Sequence, residues 1–255
     1  MVGAYHKMPI TGTKEWMPHG VNCIEGCFHA CLYCYACGIA LRFGRIKDKS
    51  EWENEKPSKN ANKRITFYKG GVMFPTAHDL RIEDRDWWMP FLQGLLEKGN
   101  DVLIVSKPHL VSINLICSSF YKYKSQIEFR FTIGTLDEQV RKFWEPNAPT
   151  MEERVDALNC AYTYGFKTSI SMEPLLTKYP DQVINEIQHL VTETIWIGCM
   201  NHMSEKNFTC DTIDWYERIK EINSYDNIKR IYEQLKDNPK IRWKDSVRDL
   251  LELKE

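Results

Sequence analysis

Five of the nine cysteines fall between Cys23 and Cys37, and that crowding constrains the chain more than any other feature. Cys27, Cys31 and Cys34 stand in a Cys-x3-Cys-x2-Cys spacing, with Tyr33 just before the third. Thiolates gathered on one short loop are the usual protein ligands of iron–sulfur clusters. Three of them leave one iron of a cubane free to bind a small chelating ligand. Other readings fit less well. Cys31, Cys34 and Cys37 begin a bacterial-ferredoxin run, but no fourth cysteine and proline follow. A zinc site needs a second pair of ligands, and only Cys199, His202 and Cys210 offer one, far away and poorly spaced. The odd cysteine count argues against a disulfide framework. Cys23 and Cys37 read most simply as buried thiols, with a redox role as the alternative.

At 255 residues, 43% of them hydrophobic, the chain can bury one large core. Its first residues hold no apolar signal region, and no apolar run approaches ~18 residues. It is therefore expected to be soluble, cytoplasmic and free of the membrane. A net charge of −1 excludes a global basic footprint for nucleic acid. The stretch from Arg42 to Arg64 is a local exception: Arg42, Arg45, Lys47, Lys49, Lys56, Lys59, Lys63 and Arg64 outnumber Asp48, Glu51, Glu53 and Glu55. With Phe43 and Trp52 beside them, these cations could follow a phosphate backbone. A solvated, mobile linker is the simpler account.

The rest of the sequence alternates. Strands are expected at Val21–Ile24, Ile65–Tyr68, Asp101–Ser106, Ile127–Thr132, Lys167–Met172 and Thr194–Gly198. Helices are expected at Tyr35–Phe43, Asp84–Lys98, His109–Ser119, Asp137–Glu145, Thr150–Tyr164 and Asp181–Val191, with a capping box of Thr150 and Glu153. Beyond Asn201 the pattern is only helical: Thr212–Ser224, Tyr225–Leu235 and Lys244–Leu253. Six strands joined by helices give repeated βαβ units and an α/β fold with a parallel sheet. An open doubly wound sheet is the alternative, but no Gly-x-Gly-x-x-Gly turn follows a strand.

The cysteine spacing with Tyr33 resembles the signature of the radical S-adenosylmethionine (SAM) superfamily. Within it the chain is most similar to the spore photoproduct lyase-like set. That likeness rests on Gly26-Cys27-x3-Cys31-x-Tyr33-Cys34-Tyr35-Ala36, Ser106-Lys107, Thr135-Leu136-Asp137 and Glu145-Pro146-x-Ala148-Pro149. The Glu173-Pro174-Leu175-Leu176 segment resembles uncharacterised, partly phage-encoded radical SAM families instead. The resemblance implies a partial (β/α)6 TIM-like barrel over residues 20–201. Residues 1–19 would then be an N-terminal extension and 202–255 a C-terminal helical extension covering the barrel. It further implies a [4Fe-4S] cluster on Cys27, Cys31 and Cys34. S-adenosyl-L-methionine on the open iron would be reductively cleaved to a 5'-deoxyadenosyl radical, with electrons from a flavodoxin- or ferredoxin-like donor. A nucleic-acid-directed lyase reaction belongs to the same resemblance. A non-enzymatic, zinc-stabilised binding module is the competing function.

For the cofactor, the resemblance implies Tyr33 beside the adenine and Gly70-Gly71 on the SAM amino group, although Val72 stands where an acidic residue is usual. It places Ser106 and Lys107 at the SAM carboxylate and makes Thr132 a further contact. Trp196 and Ile197 would flank the adenine. Glu173, at the end of a strand, reads as a polar contact to ribose or substrate. His78 and Asp79 could reach the ribose or a substrate proton, or could simply form a helix-entry turn. Asn201 and His202 are possible substrate contacts, and Cys199 a possible hydrogen-atom donor by analogy with lyases that quench a product radical.

Overall fold

A computed structural model describes residues 11–59, 61, 64–201, 205 and 208–253. His202 and Lys63 lie outside the described residues, as does most of the expected N-terminal extension.

Buried apolar runs make the sheet. Strands β1 (His19–Gly20), β2 (Ile24–Glu25), β3 (Lys56–Pro57), β4 (Val72–Met73), β5 (Val102–Ser106), β6 (Ile127–Thr132), β7 (Lys167–Met172), β8 (Ile195–Ile197) and β9 (Ile241–Trp243) follow one another along the chain. Seven of them form one sheet in the order β1-β4-β5-β6-β7-β8-β9. Every pairing in it is parallel. The sheet curls into a half-barrel, the partial TIM-like architecture expected from the sequence. The short β2 and β3 form a separate antiparallel pair.

The helices are α1 (Tyr35–Arg42), α2 (Lys49–Trp52), α3 (Arg85–Glu97), α4 (Leu110–Ser119), α5 (Glu138–Trp144), α6 (Met151–Thr163), α7 (Pro180–Ile187), α8 (Ile213–Ile222), α9 (Tyr225–Leu235) and α10 (Asp245–Leu250). Alternation along β6 sends Phe129 and Phe131 into the main hydrophobic core and turns Glu128, Arg130 and Thr132 to the other face. Thr150 caps α6 by accepting from the Glu153 N–H at 3.1 Å. The expected capping box closes only halfway, because the Glu153 carboxylate accepts the Leu110 N–H at 3.1 Å instead.

Four expectations are corrected. The first sheet strand is His19–Gly20, not Val21–Ile24, because Ile24 pairs with Pro57 in the separate antiparallel ribbon. The second sheet strand is Val72–Met73, not Ile65–Tyr68. The latter segment is tied to Asn100, whose amide oxygen accepts the Tyr68 N–H at 2.6 Å. The chain beyond Asn201 is not only helical, since β9 adds a seventh strand where six were expected. Nor, among the described residues, is the stretch from Arg42 to Lys59 a mobile linker. Asp48 caps α2, and Trp52 is buried in a second small core with Cys27, Ala36, Cys37, Ala40 and Ile46.

Residues 12–17 cross the half-barrel from one end to the other. Glu15 meets Lys244, which follows β9, at 2.6 Å. Trp16 packs edge-on to Trp196 at 6.2 Å, with Arg130 5.2 Å and Lys244 4.6 Å from its ring. Met17 then reaches Gly71, just ahead of β4.

Candidate active site

The cysteine loop follows β1 and β2 and is pinned from three sides. Gly26 has a φ of +100°, and a β-carbon there would meet the Trp52 and Asn54 carbonyls at 2.8 and 3.0 Å. Only glycine fits this approach, which lets the Cys27 N–H reach the Trp52 carbonyl at 2.8 Å. From the β6–α6 connection, the Trp144 carbonyl accepts the Leu32 N–H at 2.9 Å and the Asn147 amide donates to the Phe28 carbonyl at 3.0 Å. From the loop after β4, the Thr76 and Ala77 N–H groups donate to the Asn22 side chain at 2.8 and 3.0 Å.

All nine cysteines are free of disulfides. Cys27 is buried, while Cys31 and Cys34 are half-buried. Burial pushes the Cys27 thiol up, helped by the Asp79 charge, and pushes Cys31 up to about 12, with Lys107 opposing in both cases. Without a metal these thiols therefore stay protonated at neutral pH. The Cys34 sulfur accepts the Cys37 N–H at 3.4 Å and caps α1. Three unpaired sulfurs on one loop, one already accepting a backbone N–H, form a donor set that fits an iron–sulfur cluster. Cys23 and Cys37 are buried thiols, as expected.

Asp79, buried and following β4, is the hub of the site. Its Oδ1 accepts the Ser106 hydroxyl at 2.8 Å and the Lys107 N–H at 2.6 Å. Its Oδ2 lies 2.7 Å from His29 Nδ1, 3.8 Å from Cys27 Sγ and 4.0 Å from Lys107 Nζ. Burial opposes its charge, but His29, Lys107 and the Ser106 hydroxyl outweigh that and hold it well below the usual carboxylate range. Burial alone would discharge Lys107, but the ionised Asp79 and Glu145 carboxylates around it hold it as an ammonium, its pKa raised well above the ordinary lysine value. Cys27, His29 and Asp79 each offer one ligand atom within 4.8 Å of the others, so they too could hold a metal ion.

Tyr33 does not stand free beside the cysteines. Its hydroxyl donates to the Glu145 carboxylate, which is paired with the buried Arg154. Lys107 Nζ sits 5.7 Å from the Tyr33 ring centre. Glu145 and Arg154 were not legible as site residues, although the Glu145-Pro146 motif marked the segment. Asn22 and His29, flanking or inside the cysteine run, offered a positional signal only.

The structure brings Tyr33, Asp79, Ser106 and Lys107 together beside Cys27 and Cys31. It does not bring Gly70 and Gly71 there, because they precede β4 at its N-terminal end and pack on Pro18 and Met17. His78 is buried edge-on to Phe74, its imidazole pushed down to about 4 by burial, with Nδ1 3.0 Å from the Asp79 carbonyl. Thr132 is buried, and its carbonyl accepts from Arg154 at 3.1 Å. Glu173 follows β7, 3.7 Å from Lys244. Burial raises it to about 7 despite Lys244, with Asp245 and Glu15 adding to the rise. Trp196 is engaged by Trp16 and Arg130. Ile197 belongs to the main core, and its carbonyl accepts the Lys244 N–H at 2.9 Å. Cys199 is buried near Glu173, its N–H on the Ser246 hydroxyl at 3.0 Å. Asn201 is exposed.

No family model matches the chain. It is 27% identical over 194 residues to an uncharacterised protein of Methanocaldococcus jannaschii, covering 74% of this chain and 70% of that one. It is 29% identical over 198 residues to an uncharacterised protein of Acidianus two-tailed virus, an alignment spanning 70% of this chain and 63% of the viral protein. Among solved structures, a spore photoproduct lyase variant with bound AdoMet and dinucleoside spore photoproduct superposes with a TM-score of 0.57. The identity is 12%, over 94% of this chain and 79% of the lyase. A second variant of that lyase gives 0.58. The likeness establishes the fold, a parallel α/β half-barrel like that of the lyase.

Proposed function

We propose that the chain is a radical SAM enzyme. The observation that carries this reading is the trio of free thiols, Cys27, Cys31 and Cys34, on a loop of a parallel half-barrel with the Lys107 ammonium alongside. A [4Fe-4S] cluster held by these cysteines would supply the electron that cleaves SAM to methionine and a 5'-deoxyadenosyl radical. The residues around it bind and exclude. Lys107 offers a buried cation to the SAM carboxylate, and Ser106 helps fix its backbone through Asp79. Glu173 supplies a carboxylate at the strand ends for ribose or substrate, with Cys199 beside it as a thiol hydrogen donor. Residues 208–216 cover the site's flank: Phe208 packs on Trp144, and Trp215 stacks on Phe143 at 4.4 Å. Such a cover keeps water from a reactive intermediate. An external one-electron donor completes the set.

The test is anaerobic: reconstitute with iron and sulfide, reduce with dithionite, add SAM and quantify 5'-deoxyadenosine. Cys31→Ala is expected to abolish both cluster and product; product from that variant overturns the reading. Zinc without iron or sulfide after anaerobic preparation would favour a zinc-stabilised module instead.

A narrower reading, a nucleic-acid-directed reaction, is favoured by the outward face of α1. Tyr35 (47% exposed) and Ile39 line it and Phe43 (70% exposed) caps its end, with the exposed Arg42, Lys47 and Lys49 nearby in the chain. Exposed rings interleaved with cations suit stacked bases and phosphates, and the spore photoproduct lyase structure holds a dinucleoside. Single-stranded oligonucleotide binding should weaken as salt rises and when Arg42, Lys47 and Lys49 are neutralised. No binding at low salt excludes it.

A further inference from the structure

We propose that His29 and Asp79 act as a positioning couple for the cluster, His29 fixing the cysteine loop and Asp79 setting the charge felt at Cys27; this rests on the cluster reading above. His29 stands midway between the first two cysteines and is fully buried. A buried imidazole needs partners on both nitrogens. Here Nδ1 lies 2.7 Å from Asp79 Oδ2 as an ion-pair contact, its N–H not aimed in line at that oxygen, and Nε2 lies 2.8 Å from His109 Nε2. One proton lies between the two rings, on one Nε2 or the other. The cysteine loop is thereby tied to two strand ends at once: through Asp79 to the loop after β4, and through His109 to the start of α4. Ser106 and the Lys107 N–H hold the other carboxylate oxygen, so the couple cannot swing.

Position alone does not require a charge. An amide would keep the acceptor for Ser106 and Lys107. A full carboxylate 3.8 Å from the Cys27 sulfur also opposes the addition of an electron to whatever that sulfur ligates. Lys107, 4.0 Å from the same oxygen, offsets part of this. Cluster potentials follow local charge and hydrogen bonding to the sulfurs, and partners behind a ligand govern how tightly the metal is held.

The experiment compares the parent with Asp79→Asn, His29→Ala and His29→Asn after anaerobic reconstitution. Iron and sulfide per chain are measured, and the midpoint potential is read by paramagnetic resonance in a redox titration. Asp79→Asn is expected to load its cluster and shift the potential upward; full loading at an unchanged potential overturns the charge role. His29→Ala is expected to keep about half or less of the parent's iron. His29→Asn, whose amide replaces the Nδ1 contact, should recover most of it, and equal iron in both overturns the positioning role. That pair stands even if Asp79→Asn does not fold. A parent that loads no cluster overturns the cluster reading itself. A parent that binds a single metal ion, lost in both Asp79→Asn and His29→Ala, makes these residues ligands and overturns the couple.

Discussion

Glu173 shows how one side chain can carry a pH dependence for the whole fold. Its carboxyl, ordinarily near 4.5, sits at about 7 in the folded chain because burial outweighs the attraction of Lys244. A raised carboxyl favours its protonated form on folding, so this contribution to stability is complete below pH ~4.5 and is lost as the pH rises through ~7. Glu173→Gln should therefore unfold at higher urea than the parent at pH 8, by about 2 kcal/mol, with the difference vanishing near pH 4.5. That figure allows for water screening a side chain that keeps 22% exposure. At this scale the sequence was uneven. The cluster cysteines were readable because their spacing is local. Asp79 was visible as a candidate for the ribose or a substrate proton but not as a partner of the cysteine loop, and Lys244 not at all, since its partners Glu15 and Glu173 lie 229 and 71 positions away in the chain.

Among the elements, the small α1–α2 unit behaves as a cradle for the cysteine loop. Trp52 fills the core shared with Cys27 and Cys37, and its own carbonyl receives the Cys27 N–H. Trp52→Ala removes that filling at a cost of about 3–5 kcal/mol. It is expected to lower iron incorporation as well as the urea midpoint, and unchanged iron content would separate the cradle from the loop. This unit looked like a linker because its charges dominate the composition, and one buried tryptophan leaves no periodicity to detect. Strands of five or six residues, such as β5, β6 and β7, were found within a residue of their ends. Strands β4 and β9, two and three residues long, are too short to show a period. Their places are fixed by partners across the sheet rather than by their own sequence.

The half-barrel as a whole is fastened by contacts between its two ends. Glu15 pairs with both Lys244 and Arg248, and the Gly12 carbonyl accepts from Lys244 at 2.6 Å. Glu15→Ala would leave the buried Lys244 ammonium short of its nearest carboxylate and cost about 3 kcal/mol. Chemical unfolding should show the loss, whereas Glu186→Ala, on the exposed side of α7, should leave the midpoint within ~0.5 kcal/mol. Alternation of strands and helices was enough to indicate the fold class, because βαβ repetition is a local rhythm. The fastening was not, because nothing in residues 12–16 names a partner some 230 positions on. That separation also orders events in time. The three cysteines are all in the chain once Cys34 has been synthesised, yet Glu15 must wait until Lys244 and Arg248 leave the ribosome. At ordinary translation rates the wait is on the order of ten to fifty seconds. Through that interval the nascent barrel stays unlatched, and a cluster delivered during synthesis meets an open door.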